Sequence, residues 1–209
     1  MRIEKLASSQ HMPERVYVHL EGGERLRVSL SDVTELGLRA GMDLDEAELA
    51  SLRSRSAAAS ARERSLNLLG RRQMSRAELI RKLRDKGEDP LAAEAAADAM
   101  ERLGALDDAE YAASVARHYT RMGYGPGRVR AELARRGVDR QDWDGALDAL
   151  PEENGSTLAA LIEKKLRGRT PEEKDVKKLR DSLIRRGFSP REVRRALSCY
   201  SEKIQEEEE

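Results

Sequence analysis

Apolar residues recur along most of this chain at intervals of three and four positions, which is the spacing of one face of an α-helix. Leu79 and Leu83 form one such pair. A comparison of the chain with itself at a shift of 50 residues finds the same pair twice more. The two later copies are Val129 with Leu133 and Leu179 with Leu183. The pattern therefore predicts a helical segment that occurs three times.

A glycine follows each copy, directly after the segments "LRDK", "LARR" and "LIRR". Gly87, Gly137 and Gly187 occupy the place where a left-handed residue ends a helix with little strain. A further helical stretch precedes each copy, and a polar turn with a new helix start follows it. The pattern predicts three tandem three-helix units, each near the lower size limit for an independent core, so that neighbouring units are expected to pack together.

The N-terminal segment has a different period. Residues 15–20 and 24–30 alternate apolar and polar side chains around "EGG", which predicts a β-hairpin, and residues 1–6 can add a third strand. Ser31 and Asp32 are predicted to cap a short helix through Leu36. Another helix is predicted to start within residues 43–53.

The predicted fold is thus mostly α-helical. It is an elongated array of three tandem three-helix repeats, preceded by a small region of β-hairpin and short helices. The predicted regions are an N-terminal region at 1–55, repeat 1 at 56–106, repeat 2 at 107–150, and repeat 3 with an acidic tail at 151–209.

Composition excludes several classes of protein. Cys199 is the single cysteine, so no intramolecular disulfide can form, and no Cys/His group has zinc-ligand spacing. No apolar run reaches 18 residues, and the N-terminus has no apolar signal segment. We expect a cytoplasmic monomer with no metal, no cofactor and no membrane partner.

No catalytic constellation is evident. The glycine-rich "GYGPG" at 123–127 lacks the Lys-Ser/Thr of a phosphate-binding loop, and Pro126 fits the first turn of the next helix. Asp107 or Asp108 is predicted to cap a helix, and Trp143 to lie in a core. The sequence therefore predicts a protein that is not an enzyme.

Charge alternates in step with the repeat, although Lys+Arg and Asp+Glu both total 39. Residues 62–87 hold nine bases and three acids, whereas residues 88–111 hold one base and eight acids. Residues 117–140 and 141–153 repeat this alternation, and residues 163–187 are basic again. Either basic helices pair with acidic helices inside the protein, or a basic surface faces an anionic partner.

Three segments together resemble the bacterial RecX family, the regulators of the RecA recombinase. They are "SRAELIRKLRDKG", "LGALDDAEYA" and "GYGPGRVRAELARRGV". The family positions are Leu83, Lys86, Gly87, Leu103, Gly104, Asp108, Tyr111, Ala112, Gly125, Val129, Leu133, Arg136 and Gly137. "RVYVHLEGG" and "LSDVTELGLRAGMDL" also match the family's hairpin and Gly-Leu-x-x-Gly segment. The resemblance covers most of residues 12–150, and the first helix of repeat 3 matches poorly.

The resemblance implies a non-enzymatic protein that binds RecA, seats in the groove of the RecA–DNA filament and suppresses its recombinase, ATPase and co-protease activities. Direct binding to single- or double-stranded DNA is implied for some members. The alternative is a stand-alone basic DNA-binding repeat protein.

The candidate RecA- or DNA-binding residues are the bases of the first two helices of each unit. They are Arg71, Arg72, Lys82, Lys86, Arg121, Arg128, Arg135, Arg136, Arg185 and Arg186. Charge reversal at Arg135 and Arg136 is expected to weaken RecA inhibition without loss of helix. The positions predicted to be structural are Leu83, Gly87, Asp108, Tyr111, Leu133, Gly137, Leu183 and Gly187.

Overall fold

The computed structural model describes residues 1–9, 12, 14–148, 154–167, 169 and 171–207. The side chains of residues 154–157, 199 and 201–207 are outside that description. The predicted boundary at 150/151, the environment of Cys199 and the acidic tail therefore lie outside the described residues. Within the described part, no helix is long and apolar enough to cross a membrane.

Three strands and ten helices follow one another in the described part of the chain. The strands are β1 (Ile3–Ser8), β2 (Arg15–Leu20) and β3 (Arg25–Ser29). The helices of the first half are α1 (Leu30–Glu35), α2 (Glu46–Leu69), α3 (Arg76–Asp85) and α4 (Pro90–Arg102). Those of the second half are α5 (Asp108–Arg121), α6 (Pro126–Arg135), α7 (Gln141–Asp148), α8 (Asn154–Leu166), α9 (Glu173–Arg185) and α10 (Pro190–Glu207).

The chain forms two compact units, Met1–Leu106 and Asp107–Glu209. The first unit contains the sheet and repeat 1, and the second contains repeats 2 and 3. The sheet is antiparallel in the order β1-β2-β3. Its buried face, which includes Val18 and Leu20, packs against Leu49 and Leu52 of α2. The predicted hairpin and third strand are confirmed.

Helix α2 is one continuous helix of 24 residues. Its first half closes the core under the sheet, and Ala61 in its second half belongs to the core of repeat 1. Two separate helical stretches were predicted for this segment, and the predicted boundary at 55/56 falls inside α2. The helix is continuous because neither proline nor glycine interrupts residues 46–69.

The short helix α1 begins earlier than predicted. Ser29 is its N-cap, and Asp32 is the third helical residue, whose side chain accepts from the Ser29 backbone N–H at 3.0 Å. The N-cap is therefore Ser29 rather than Ser31, and the predicted part of Asp32 in capping is confirmed. Ser29 and Asp32 form a reciprocal capping box, in which the two residues are three positions apart.

The predicted repeat helices are confirmed in all three repeats. Leu83, Leu133 and Leu183 are fully buried, each in the core of its own repeat. Gly87, Gly137 and Gly187 have φ of 82°, 71° and 92°, so each ends its helix in the left-handed region. Asp107 caps α5, and Pro126 is in the first turn of α6, as predicted.

Candidate functional site

The residue that caps the C-terminus of the middle helix is a base in every repeat. Lys86, Arg136 and Arg186 are the C-caps of α3, α6 and α9, and each precedes the left-handed glycine. Basic side chains at this helix end complement the negative end of the helix dipole. The three share a backbone position, but their side chains have different environments.

In repeat 1 this base is exposed. Lys86 makes no ion pair with any described residue, although its carbonyl accepts from Arg64 Nη1 at 3.0 Å. Arg71, at the start of the loop between α2 and α3, is also exposed. The ammonium group of Lys86 and the guanidinium group of Arg71 are therefore available to an anionic partner.

In repeat 2 the corresponding base belongs to a partly buried network. Arg136 Nη1 donates to the Tyr111 hydroxyl at 2.6 Å, and Arg136 Nε donates to a Glu132 carboxylate oxygen at 2.8 Å. Arg135 donates to the same carboxylate, with Nη2 at 2.6 Å. The Glu132 residue is only 4% exposed, so this carboxylate depends on its two arginines.

These contacts change the acidity of Glu132. The pKa of its carboxyl is about 2, below the ordinary 4.5, because hydrogen bonds from Arg135 and then Arg136 outweigh the effect of burial. This network was not predicted from the sequence. Its signal was a carboxylate on the apolar face of α6, three residues after Val129 and four before Arg136.

In repeat 3 the corresponding base contacts repeat 2. Arg186 Nη1 lies 3.3 and 3.2 Å from the carbonyl oxygens of Met122 and Gly123. The Gly125 N–H donates to the Arg186 carbonyl at 2.8 Å, and the Gly127 N–H donates to the Gly187 carbonyl at 2.9 Å. We call the contact of residues 123–127 with residues 186–187 the glycine interlock.

Side chains would not fit at this contact. A Cβ on Gly125 would lie 2.5 Å from the Phe188 nitrogen, and a Cβ on Gly187 would lie 2.3 Å from the Arg128 nitrogen. The "GYGPG" segment therefore has a role that sequence reasoning missed. It caps α6, as predicted, and it also seats the helix end of the next repeat.

Internal pairing accounts for part of the alternating charge. Arg76, at the start of α3, pairs with three acids of α4, namely Glu94, Asp98 and Glu101. Arg72 and Lys82 both pair with Glu78, which is 7% exposed. The basic and acidic helices of repeat 1 thus hold one another in place.

The acidic helix of repeat 2 behaves differently. Burial, followed by the charges of Asp139 and Asp107, raises the pKa of Asp142 in α7. No described residue forms an ion pair with Asp142 or Asp144. The alternating charge of repeat 2 is therefore not explained by pairing of α7 with basic helices.

Repeat 3 carries a dense basic surface. Among the described residues of this repeat, one ion pair forms, between the sequence neighbours Arg180 and Asp181, with 3.3 Å between Nε and Oδ1. A notch of about 210 Å³ between α8 and α9 is lined by Lys165, Arg169 and Lys178, with one acid, Asp175. Other exposed bases of this repeat are Lys164, Lys174, Lys177, Arg185, Arg191, Arg194 and Arg195. This surface can attract a polyanion.

The predicted site residues thus separate by environment. Those exposed and without an ion pair among the described residues are Arg71, Lys86, Arg121, Arg128 and Arg185. Those held by intramolecular contacts are Arg72, Lys82, Arg135, Arg136 and Arg186. No group of acidic, histidine or cysteine side chains suited to a metal ion occurs among the described residues.

The comparisons with known proteins agree with the repeat assignment. The family model for the first three-helix domain of RecX matches residues 61–103, and that for the second matches residues 107–147. The first range runs from within α2 to the end of α4, and the second covers α5, α6 and most of α7.

Relatives with the name regulatory protein RecX match most of their own length. The protein of Pseudomonas tolaasii is 38% identical over 138 residues, which is 66% of this chain and 89% of that protein. The protein of Xanthomonas axonopodis pv. citri is 38% identical over 135 residues, 64% of this chain and 83% of that protein.

A crystal structure of regulatory protein RecX shares the fold. It aligns with a TM-score of 0.70 at 24% identity, over 98% of both chains. RecX from Lactobacillus salivarius aligns with a TM-score of 0.63 at 21% identity, over 69% of this chain and 97% of its own. With the sequence relatives and both domain models, these findings show that the chain belongs to the RecX family of regulatory proteins.

Proposed function

We propose that this protein binds the RecA recombinase and its DNA filament and lowers recombinase, ATPase and co-protease activity during recombinational repair and the SOS response. The observation that carries the proposal is the membership of a family of regulatory proteins, combined with exposed, unpaired bases in both compact units. Each repeat has a base at the end of its middle helix. Each compact unit also presents exposed bases that make no ion pair with the described residues.

The proposed contact residues are the exposed bases. Lys86 in unit 1 and Arg121 and Arg185 in unit 2 make no ion pair with described residues. Individually weak contacts to several protomers of a filament would add up through effective concentration. A modest change in each contact would then change the total affinity strongly.

Reversal of Arg135 and Arg136 would not test this interface. Both hold the buried Glu132 carboxylate, so their reversal would place like charges around a desolvated group and disturb repeat 2. Reduced inhibition would then reflect loss of structure as much as loss of contact. The exposed bases give a cleaner experiment.

The test is the single-stranded-DNA-dependent ATPase of the cognate RecA, measured with this protein at far less than one copy per RecA. We expect ATP hydrolysis to fall at these ratios. The triple variant Lys86→Glu, Arg121→Glu, Arg185→Glu should lose at least about tenfold in inhibitory potency with an unchanged circular dichroism spectrum. Arg39→Glu reverses an exposed base outside the repeats and should inhibit like the wild type. If the wild-type protein leaves ATP hydrolysis by RecA unchanged, the proposal is refuted.

The second candidate function is direct DNA binding, and the basic notch of repeat 3 favours it. A phosphate could lie between Lys165, Arg169 and Lys178. Affinity for bare DNA should then fall steeply with salt, because each neutralised phosphate releases counterions. Inhibition of RecA only at concentrations that coat the DNA would favour this function, and salt-independent binding would exclude it.

A further inference from the structure

A groove in the first compact unit, separate from the repeat bases, has the features of a peptide site. It runs between β3 and one face of α2 and has a volume of about 510 Å³, within the usual range of ligand pockets. Ala58, Ala59 and Val28 line it with apolar surface. Most of its lining precedes residue 61, where the match to the RecX domain models begins.

Positive charge exceeds negative charge at one end of the groove. Arg15 Nη2 and Arg27 Nη1 contact the same oxygen of Glu63, at 2.5 and 2.8 Å, so one carboxylate serves two guanidinium groups. Arg62 is exposed and makes no ion pair with any residue that the structure describes. Glu14 is the other acid at this end.

The opposite end has no excess of positive charge. Arg55 lies 2.7 Å from Asp32 and 2.9 Å from Glu35 and is held by both carboxylates. An anionic group would therefore bind near Arg27 and Arg62.

One buried donor has no acceptor at the positive end. Arg27 Nη2 is buried and finds no hydrogen-bond partner among the described residues. A buried N–H without an acceptor is unfavourable, so the positive charge of Arg27 is only partly compensated by Glu63. Guanidinium groups bind carboxylates well because two parallel N–H donors match two oxygens.

An apolar contact lies within reach of the same charges. Leu66, one helical turn after Arg62, lines the groove and is 50% exposed, and Met12 on the other wall is 48% exposed. Exposed apolar side chains beside a basic cluster match a ligand with an apolar group next to an acid. A nucleic acid fits less well, because Glu14 and Glu63 would repel a continuous phosphate backbone.

We propose that this groove binds an extended segment of a protein partner in which an acidic side chain neighbours an apolar one. The carboxylate would pair with Arg62 beside the Arg27 guanidinium, and the apolar side chain would cover Ala59 and Leu66. The groove would bind this peptide whether or not the repeats bind RecA.

Peptide display on the full-length protein tests the proposal. Selection from random twelve-residue peptides should enrich sequences with Asp or Glu within two positions of Leu, Ile, Val or Met. In fluorescence anisotropy, Arg62→Glu should weaken binding of a selected peptide about tenfold, and Leu66→Ala about fivefold. Both side chains are exposed, so folding should be unchanged by circular dichroism.

Two matched variants on α4 serve as controls. Arg102→Glu makes the same charge change, and Leu91→Ala shortens a side chain that is 81% exposed. Neither lines the groove, so both should bind as the wild type does. The proposal is overturned if no peptide is enriched, if selected peptides lack acids, or if the controls weaken binding equally. Displacement of the peptide by single-stranded DNA in an Arg62-dependent manner would also overturn it, in favour of a nucleic-acid site.

Discussion

Repeats 1 and 3 end their middle helices in the same way but use the ends differently. Gly87 and Gly187 are both left-handed, with φ of 82° and 92°. A Cβ on Gly87 would meet no atom within 4 Å, whereas a Cβ on Gly187 would lie 2.3 Å from the backbone nitrogen of Arg128. The period of 50 residues therefore records a shared local backbone, and the neighbours of that backbone differ from repeat to repeat.

The largest expected effect comes from substitution of these two glycines. Gly187→Ala would combine left-handed strain with a backbone clash in the glycine interlock. We expect it to lower the free energy of unfolding by about 3–5 kcal/mol. Gly87→Ala would bear the strain alone, about 1–2 kcal/mol. Urea unfolding by circular dichroism measures both, and Trp143 fluorescence reports on the unit that contains Gly187. Equal losses would show that the interlock contributes nothing to stability.

The two adjacent arginines at the end of α6 should also differ in their contribution to the free energy of unfolding. Arg136→Ala would leave Glu132 with one exposed arginine and remove the donor to Tyr111, at a cost of about 2–3 kcal/mol. Arg135→Ala removes a side chain that is 70% exposed and should lower the free energy of unfolding less than Arg136→Ala does. Chemical denaturation of the two variants separates these values, and a larger loss for Arg135→Ala would contradict the network described for repeat 2.

Most of the fold could be predicted because it depends on local signals. The spacing of Leu79 and Leu83, the glycine after each copy and the alternation in residues 15–20 each reflect contacts within a few residues. Helix α2 was predicted as two pieces because its single helix serves two cores, and that distinction depends on tertiary packing.

The candidate site was less predictable. A basic residue at the end of a helix has the same sequence whether it faces solvent or a buried carboxylate. The contacts of Arg136 with Glu132 and Tyr111 bring together residues from two helices. The contact of Arg186 with the carbonyl of Gly123 joins positions 63 residues apart. No periodicity in the sequence carries that information.

Acid should weaken repeat 2 through Glu132. Its folded pKa of about 2 lies below the ordinary 4.5, so its stabilising effect is complete above pH 4.5 and is lost as the pH falls towards 2. We expect a loss on the order of 2–3 kcal/mol over this range. Glu132→Gln removes this titration, so its Trp143-detected stability should change less between pH 4.5 and 2. An identical pH dependence in the variant would exclude Glu132 as the source.

The smallest expected effect on stability is at Lys86, the exposed counterpart of Arg136 and Arg186. Lys86→Ala breaks no ion pair with the described residues, so the free energy of unfolding should change by less than about 0.5 kcal/mol. If the proposed RecA interface is correct, the same variant should still need a higher concentration to inhibit the RecA ATPase. A base that is dispensable for folding yet required for inhibition marks a contact with the partner. A variant that inhibits normally would remove Lys86 from the interface, and it would leave the repeated base in repeat 1 with only its effect on the helix end.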